Sequence, residues 1–80
     1  MKTDIFNKLS IKIGVRIRIL RESKNMSQQD LADLCNFDKS DMSKLEAGKA
    51  NPTLKTFLII CQALEVSLSN LLDIDNTGVA

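Results

Sequence analysis

Eighty residues, 44% hydrophobic and 26% charged, allow one folded domain with a modest core and exclude a disordered chain. The net charge is only +1, but residues 1–24 carry seven cationic side chains against two carboxylates, whereas 25–50 and 51–80 each come to −2. No apolar run approaches the roughly 20 residues of a membrane span, and Met1-Lys2-Thr3-Asp4 lacks a secretory signal's apolar stretch, so a cytoplasmic protein with no membrane partner is expected.

The first segment carries two patterns. From Leu9 to Ile19 apolar residues alternate strictly, as in a strand, while Phe6, Leu9, Ile13, Ile17 and Leu20 step by three or four, as on one face of a helix. The helix is the better reading, because no neighbouring segment offers a strand partner for the backbone. Ile11, Val15 and Ile19 then form a second apolar stripe on roughly the opposite face, the kind of surface that meets a partner.

Ser27-Gln28-Gln29-Asp30 reads as a capping box before Leu31, Leu34 and Cys35. Asn36 suits the left-handed turn that ends this helix, and Phe37 is expected to point inward. Asp38 is placed as the cap of a third helix, with Asp41 at the box position, Met42 and Leu45 on its apolar face and Gly48 as its stop. Asn51-Pro52-Thr53 reads as a turn with Thr53 as the next cap. The following helix is apolar nearly all round, through Leu54, Phe57, Leu58, Ile60, Cys61 and Leu64, and is therefore expected to be central. Ser67 caps a last short helix with Leu68, Leu71 and Leu72, and residues 75–80 read as a frayed tail. The fold class is thus all-α, with five helices in a single domain over 1–80.

Catalysis is not expected. The chain has no histidine and no tyrosine, no nucleophile–base pair and no glycine-rich phosphate loop. Cys35 and Cys61 have no metal-ligand spacing and read as reduced core residues, so neither a metal nor a cofactor is expected.

The run Gln28-Gln29-Asp30-Leu31-Ala32-Asp33-Leu34-Cys35-Asn36-Phe37, followed by Asp38 to Leu45 and Glu46-Ala47-Gly48-Lys49, resembles the helix-turn-helix of the Cro/cI-type, or XRE, repressors. The similarity continues through Asn51-Pro52-Thr53-Leu54 and Ala63-Leu64-Glu65-Val66-Ser67. Upstream, Ile13 to Arg21 is similar to the family's first helix. The likeness covers residues 13–74 and leaves 1–12 as an N-terminal extension. It implies a lambda-repressor-like DNA-binding domain, a transcriptional regulator that binds double-stranded DNA as a homodimer.

By this resemblance, the third helix reads bases in the major groove through Lys39, Ser40, Ser43 and Lys44, since lysine donates to guanine O6 and N7 and serine serves either pair type. Gln28 bridges a phosphate and the recognition helix, and Lys49, Asn51 and Thr53 meet the other phosphate strand. Arg16 and Arg18 are either phosphate contacts or ordinary surface arginines. Asp41 either accepts from cytosine N4 or simply completes a cap. Arg21 and Glu46 occupy positions of a structural ion pair. The dimer surface is placed at Val66, Leu68, Leu71 and Ile74, with the Ile11–Val15–Ile19 stripe as the other candidate. The family prefers glycine where Asn36 and Glu65 stand, and Glu65 is the more costly departure if the backbone there is left-handed. A different function on the same fold is a module that holds a protein partner, such as the toxin-binding antitoxin of a toxin–antitoxin pair; lysines flanking a groove-sized helix favour DNA.

Overall fold

The computed structural model describes residues 2–74, and the tail expected to fray, 75–80, lies outside them. Among the described residues the order is α1 (Lys2–Ser23), α2 (Gln28–Cys35), α3 (Lys39–Glu46), α4 (Leu54–Leu64) and α5 (Leu68–Leu71). The alternating first segment is helical, and residues 2–12 belong to the same helix as residues 13–23. At 1.5 Å per residue its 22 residues make a rod about 33 Å long, close to the molecule's longest dimension of 35 Å. No helix among the described residues is long and apolar enough to cross a membrane.

Four helix ends share one device. Asn25, Asn36, Gly48 and Glu65 all have positive φ, and each is followed by an amide that reaches back to a carbonyl five residues earlier. These bonds run from Met26 to Arg21, Phe37 to Ala32, Lys49 to Lys44 and Val66 to Cys61, the longer bond of the Schellman motif. Helix starts are less uniform. Ser27 and Asp30 form a reciprocal capping box, Thr53 Oγ1 accepts from the Thr56 amide and Ser67 Oγ from the Asn70 amide. Asp38, the expected cap of α3, has the right backbone but its side chain accepts no cap bond.

The core gathers Ile17, Leu20, Leu31, Ala32, Cys35, Met42, Leu45, Ile60, Cys61, Leu64 and Leu71, with Phe37 half-buried against it. Ala32 is fully buried. Two expectations about apolar faces need correction. The α1 stripe is buried at Ile17 and Leu20, but Phe6 and Leu9 are 46% and 43% exposed, because this end of the rod overhangs the core. There the two side chains line a cleft opposite Pro52 and Phe57. Nor is α4 buried all round: Leu54 and Leu58 are 62% and 49% exposed, since so small a domain cannot enclose one helix on every side.

Two glycines let α1 lie against the end of α3. A β-carbon on Gly14 would stand 2.5 Å from the Glu46 carbonyl oxygen, and one on Gly48 would stand 2.7 Å from the Ile11 α-carbon. Arg16 ties the same helix to α5, its Nε donating to the Asn70 carbonyl at 3.0 Å and its Nη2 to the Asn70 side chain.

Candidate nucleic-acid interface

Periodicity decides which face of α3 is available. Met42, Leu45 and Glu46 turn inward, so Lys39, Ser40, Asp41, Ser43 and Lys44 stand exposed on the other side. The fully buried Met42 and Ala32 and the nearly buried Leu45 hold α3 against α2. A shallow groove beside α3 is lined by Phe37, Asp41, Lys44, Ala50, Asn51 and Thr56. Lys49, Asn51 and Thr53 are exposed along the segment joining α3 to α4. Their backbone is aimed by the left-handed Gly48, at φ +74, and by the Thr53 cap.

The inner side of α3 is fastened electrostatically. Arg21 Nε donates to Glu46 Oε2 at 2.6 Å and Nη2 to Oε1 at 3.0 Å, while Nη1 donates to the Met26 carbonyl at 2.7 Å. The two side chains are only 9% and 3% exposed. Hydrogen bonding to Glu46 outweighs the desolvation of Arg21 and holds its pKa above the usual arginine range. Gln28 Nε2, on the first residue of α2, also donates to Glu46 Oε1, at 3.0 Å. One carboxylate thus connects α1, α2 and α3, and no fully buried side-chain nitrogen or oxygen among the described residues lacks a partner. A charge pair so enclosed is a registry device more than a source of net stability, because its desolvation offsets most of its Coulomb gain.

The outer side has no such fastening. Among the described residues, the side chains of Lys39, Ser40, Asp41, Ser43 and Lys44 make no hydrogen bond or ion pair with the rest of the chain. The basic side chains of α1 are partly committed elsewhere: Arg16 to Asn70, Arg18 to Glu22 at 3.3 Å and Arg21 to Glu46. Leu71 is completely buried, which removes it from the surface expected to meet a second copy and assigns it to the protomer's own core. Val66, Leu68 and Ile74 are half-buried around it, and Leu72 is 39% exposed. Ile11, Val15 and Ile19 are exposed by 52%, 42% and 45%.

Sequence reasoning passed over the contact between Gly14 and α3. The available signal was glycine in the middle of a helical pattern, a placement that costs about 1 kcal/mol against alanine and so calls for a packing reason. The Arg16–Asn70 contact had no signal in local sequence.

A family model described as helix-turn-helix (HTH_3) matches residues 17–71. Control protein C.BamHI of Bacillus amyloliquefaciens is 36% identical over 73 residues, covering 90% of each chain. The SPbeta prophage-derived uncharacterized HTH-type transcriptional regulator YonR of Bacillus subtilis is 41% identical over 59 residues, which cover 74% of this chain but 55% of that longer protein. Among solved structures, the restriction-modification controller protein C.AhdI of Aeromonas hydrophila superposes with a TM-score of 0.74 at 36% identity, covering 76% of this chain and 92% of C.AhdI.

Proposed function

The chain belongs to the helix-turn-helix family HTH_3 of DNA-binding transcriptional regulators, and we propose that it acts as a homodimer that inserts α3 of each copy into the major groove of double-stranded DNA. Lys39, Ser40, Ser43 and Lys44 meet base edges, while Gln28, Lys49, Asn51 and Thr53 meet phosphates. The observation that carries this reading is the division of α3: an inner face buried and ion-paired, and an outer face whose polar groups are unengaged among the described residues. An α-helix with its side chains is about 10–12 Å across, matched to a groove about 12 Å wide. The match to Control protein C.BamHI over nine-tenths of both chains supports a controller-type regulatory role.

The test is selection of duplexes from a random pool at physiological salt, repeated with Lys39→Glu and Lys44→Glu together. The expected result is a two-fold-symmetric site with half-sites about one helical turn apart, lost in the double variant. Lys49→Ala is expected to weaken all sequences alike and to reduce the slope of log K against log salt by about 0.9, while Lys44→Ala weakens the preferred site selectively. No enrichment by the unaltered protein would overturn the DNA reading and turn the search to a protein partner for the Ile11–Val15–Ile19 stripe.

A further inference from the structure

Asp41 is an unusual residue to hold on a surface that faces phosphates. Two specific partners for a carboxylate there are available, and neither is engaged; its place in the first turn of α3 suits the helix dipole but leaves its oxygens without a bonding partner among the described residues. It is not the acidic partner of a capping box: α3 has no side-chain cap bond at Asp38, and nothing links Asp41 back to the Asp38 amide, whereas Asp30 does accept from the Ser27 amide at 2.9 Å in α2. Nor is it in an ion pair with Lys44 three residues on, although both line the same groove beside Phe37 and Asn51. Its oxygens are exposed and, among the described residues, unengaged.

We infer that Asp41 is a specificity-determining residue that accepts a hydrogen bond from the N4 amino group of a cytosine in each half-site. This rests on the DNA reading above and names part of what is read. An ionised carboxylate only accepts. In the major groove guanine offers N7 and O6 and thymine O4, all acceptors that repel it, and adenine sets its N6 donor beside the N7 acceptor. The cytosine amino group has an acceptor on one side only, O6 of its paired guanine, whereas adenine N6 lies between its own N7 and thymine O4. The same carboxylate that lowers affinity for phosphates in general thereby raises the contrast between right and wrong sequences. Lys44, on the same groove wall, is suited to guanine O6 and N7 of the same or an adjoining pair, so that the two side chains read a C·G step with opposite charges.

The experiment repeats the duplex selection with Asp41→Ala and Asp41→Asn, after thermal melting has established that both variants are folded. Binding is then measured to the selected site with that cytosine replaced by 2-pyrimidinone, which lacks the amino group. An asparagine donates and accepts, and pairs with adenine N6 and N7. The expected result is one cytosine position per half-site that loses preference in Asp41→Ala and moves to adenine in Asp41→Asn. The unaltered protein should bind the pyrimidinone site about tenfold more weakly, within the discrimination of one good base contact, with no such difference for Asp41→Ala. Tighter binding of Asp41→Ala to every sequence with an unchanged selected site would overturn the inference while leaving the DNA reading intact. Absence of any enrichment by the unaltered protein would overturn both.

Discussion

Glu46 joins three helices through one carboxylate, and its removal strands a guanidinium that is almost fully enclosed. Breaking a buried pair from one side costs about 3–5 kcal/mol. Asp33, which accepts from Gln29 at 2.8 Å on the surface, has little to lose. Thermal melting of Glu46→Ala is therefore expected to fall far below that of Asp33→Ala, and equal melting temperatures would show that the pair is dispensable. Cys35 tests burial in another way. Desolvation pushes its thiol up to about 11 from the ordinary value of 9.0, so the unfolded chain ionises first as pH rises. The contribution to stability is complete below about pH 9 and is lost toward 11. Denaturant titrations across that window should show a shallower decline for Cys35→Ala than for the unaltered protein, even though the variant starts lower.

At the scale of elements, the ends of helices decide how closely they pack. Glu65 has φ +58, a conformation that costs a residue with a β-carbon about 1–2 kcal/mol. Glu65→Gly is expected to stabilise the protein by about 0.5–1 kcal/mol, after the extra chain entropy of glycine is subtracted; a loss of stability would mean that the Glu65 side chain makes up for its backbone. Gly14→Ala has the opposite sign. The added methyl meets backbone oxygens of α3, which cannot rotate away as a side chain would. The strain is expected to cost about 1–3 kcal/mol and to weaken DNA binding at temperatures where the variant remains folded, because α3 must shift. Unchanged chemical shifts in α3 would refute that displacement.

For the whole molecule, the proposed homodimer has two candidate surfaces. Leu71 is fully enclosed in the protomer while Leu72 beside it is 39% exposed, so the two separate folding from assembly. Leu71→Glu is expected to unfold the chain by burying an unpaired charge. Leu72→Glu is expected to leave the circular dichroism spectrum intact and to give a monomer in sedimentation, if Val66, Leu68 and Ile74 mark the dimer surface. A Leu72→Glu protein that is still dimeric would move the interface to Ile11, Val15 and Ile19. That stripe lies on the helix bearing most of the basic excess, and Arg16, Arg18 and Arg21 are each occupied within the chain. The +5 of residues 1–24 is thus a poorer guide to DNA contacts than its size suggests.

Most of what neighbours along the chain set was legible before folding; the exceptions are Asp38, whose side chain leaves α3 uncapped, and the left-handed Asn25 after α1. The capping box at Ser27 and Asp30, the left-handed Asn36, the cap at Thr53 and the stop at Gly48 are contests between a residue and its own backbone within one turn, and they come out as the residue types demand. Helical spacing likewise told the inner face of α3 from its outer one. Where helices stop touching one another is a different matter. That Phe6, Leu9, Leu54 and Leu58 stay in water, that Leu71 goes to the core and that Arg16 reaches Asn70 depend on groups up to 54 positions away. Local patterns state that a residue is apolar or polar; only the packed arrangement supplies, or withholds, the surface and the partner that make use of it.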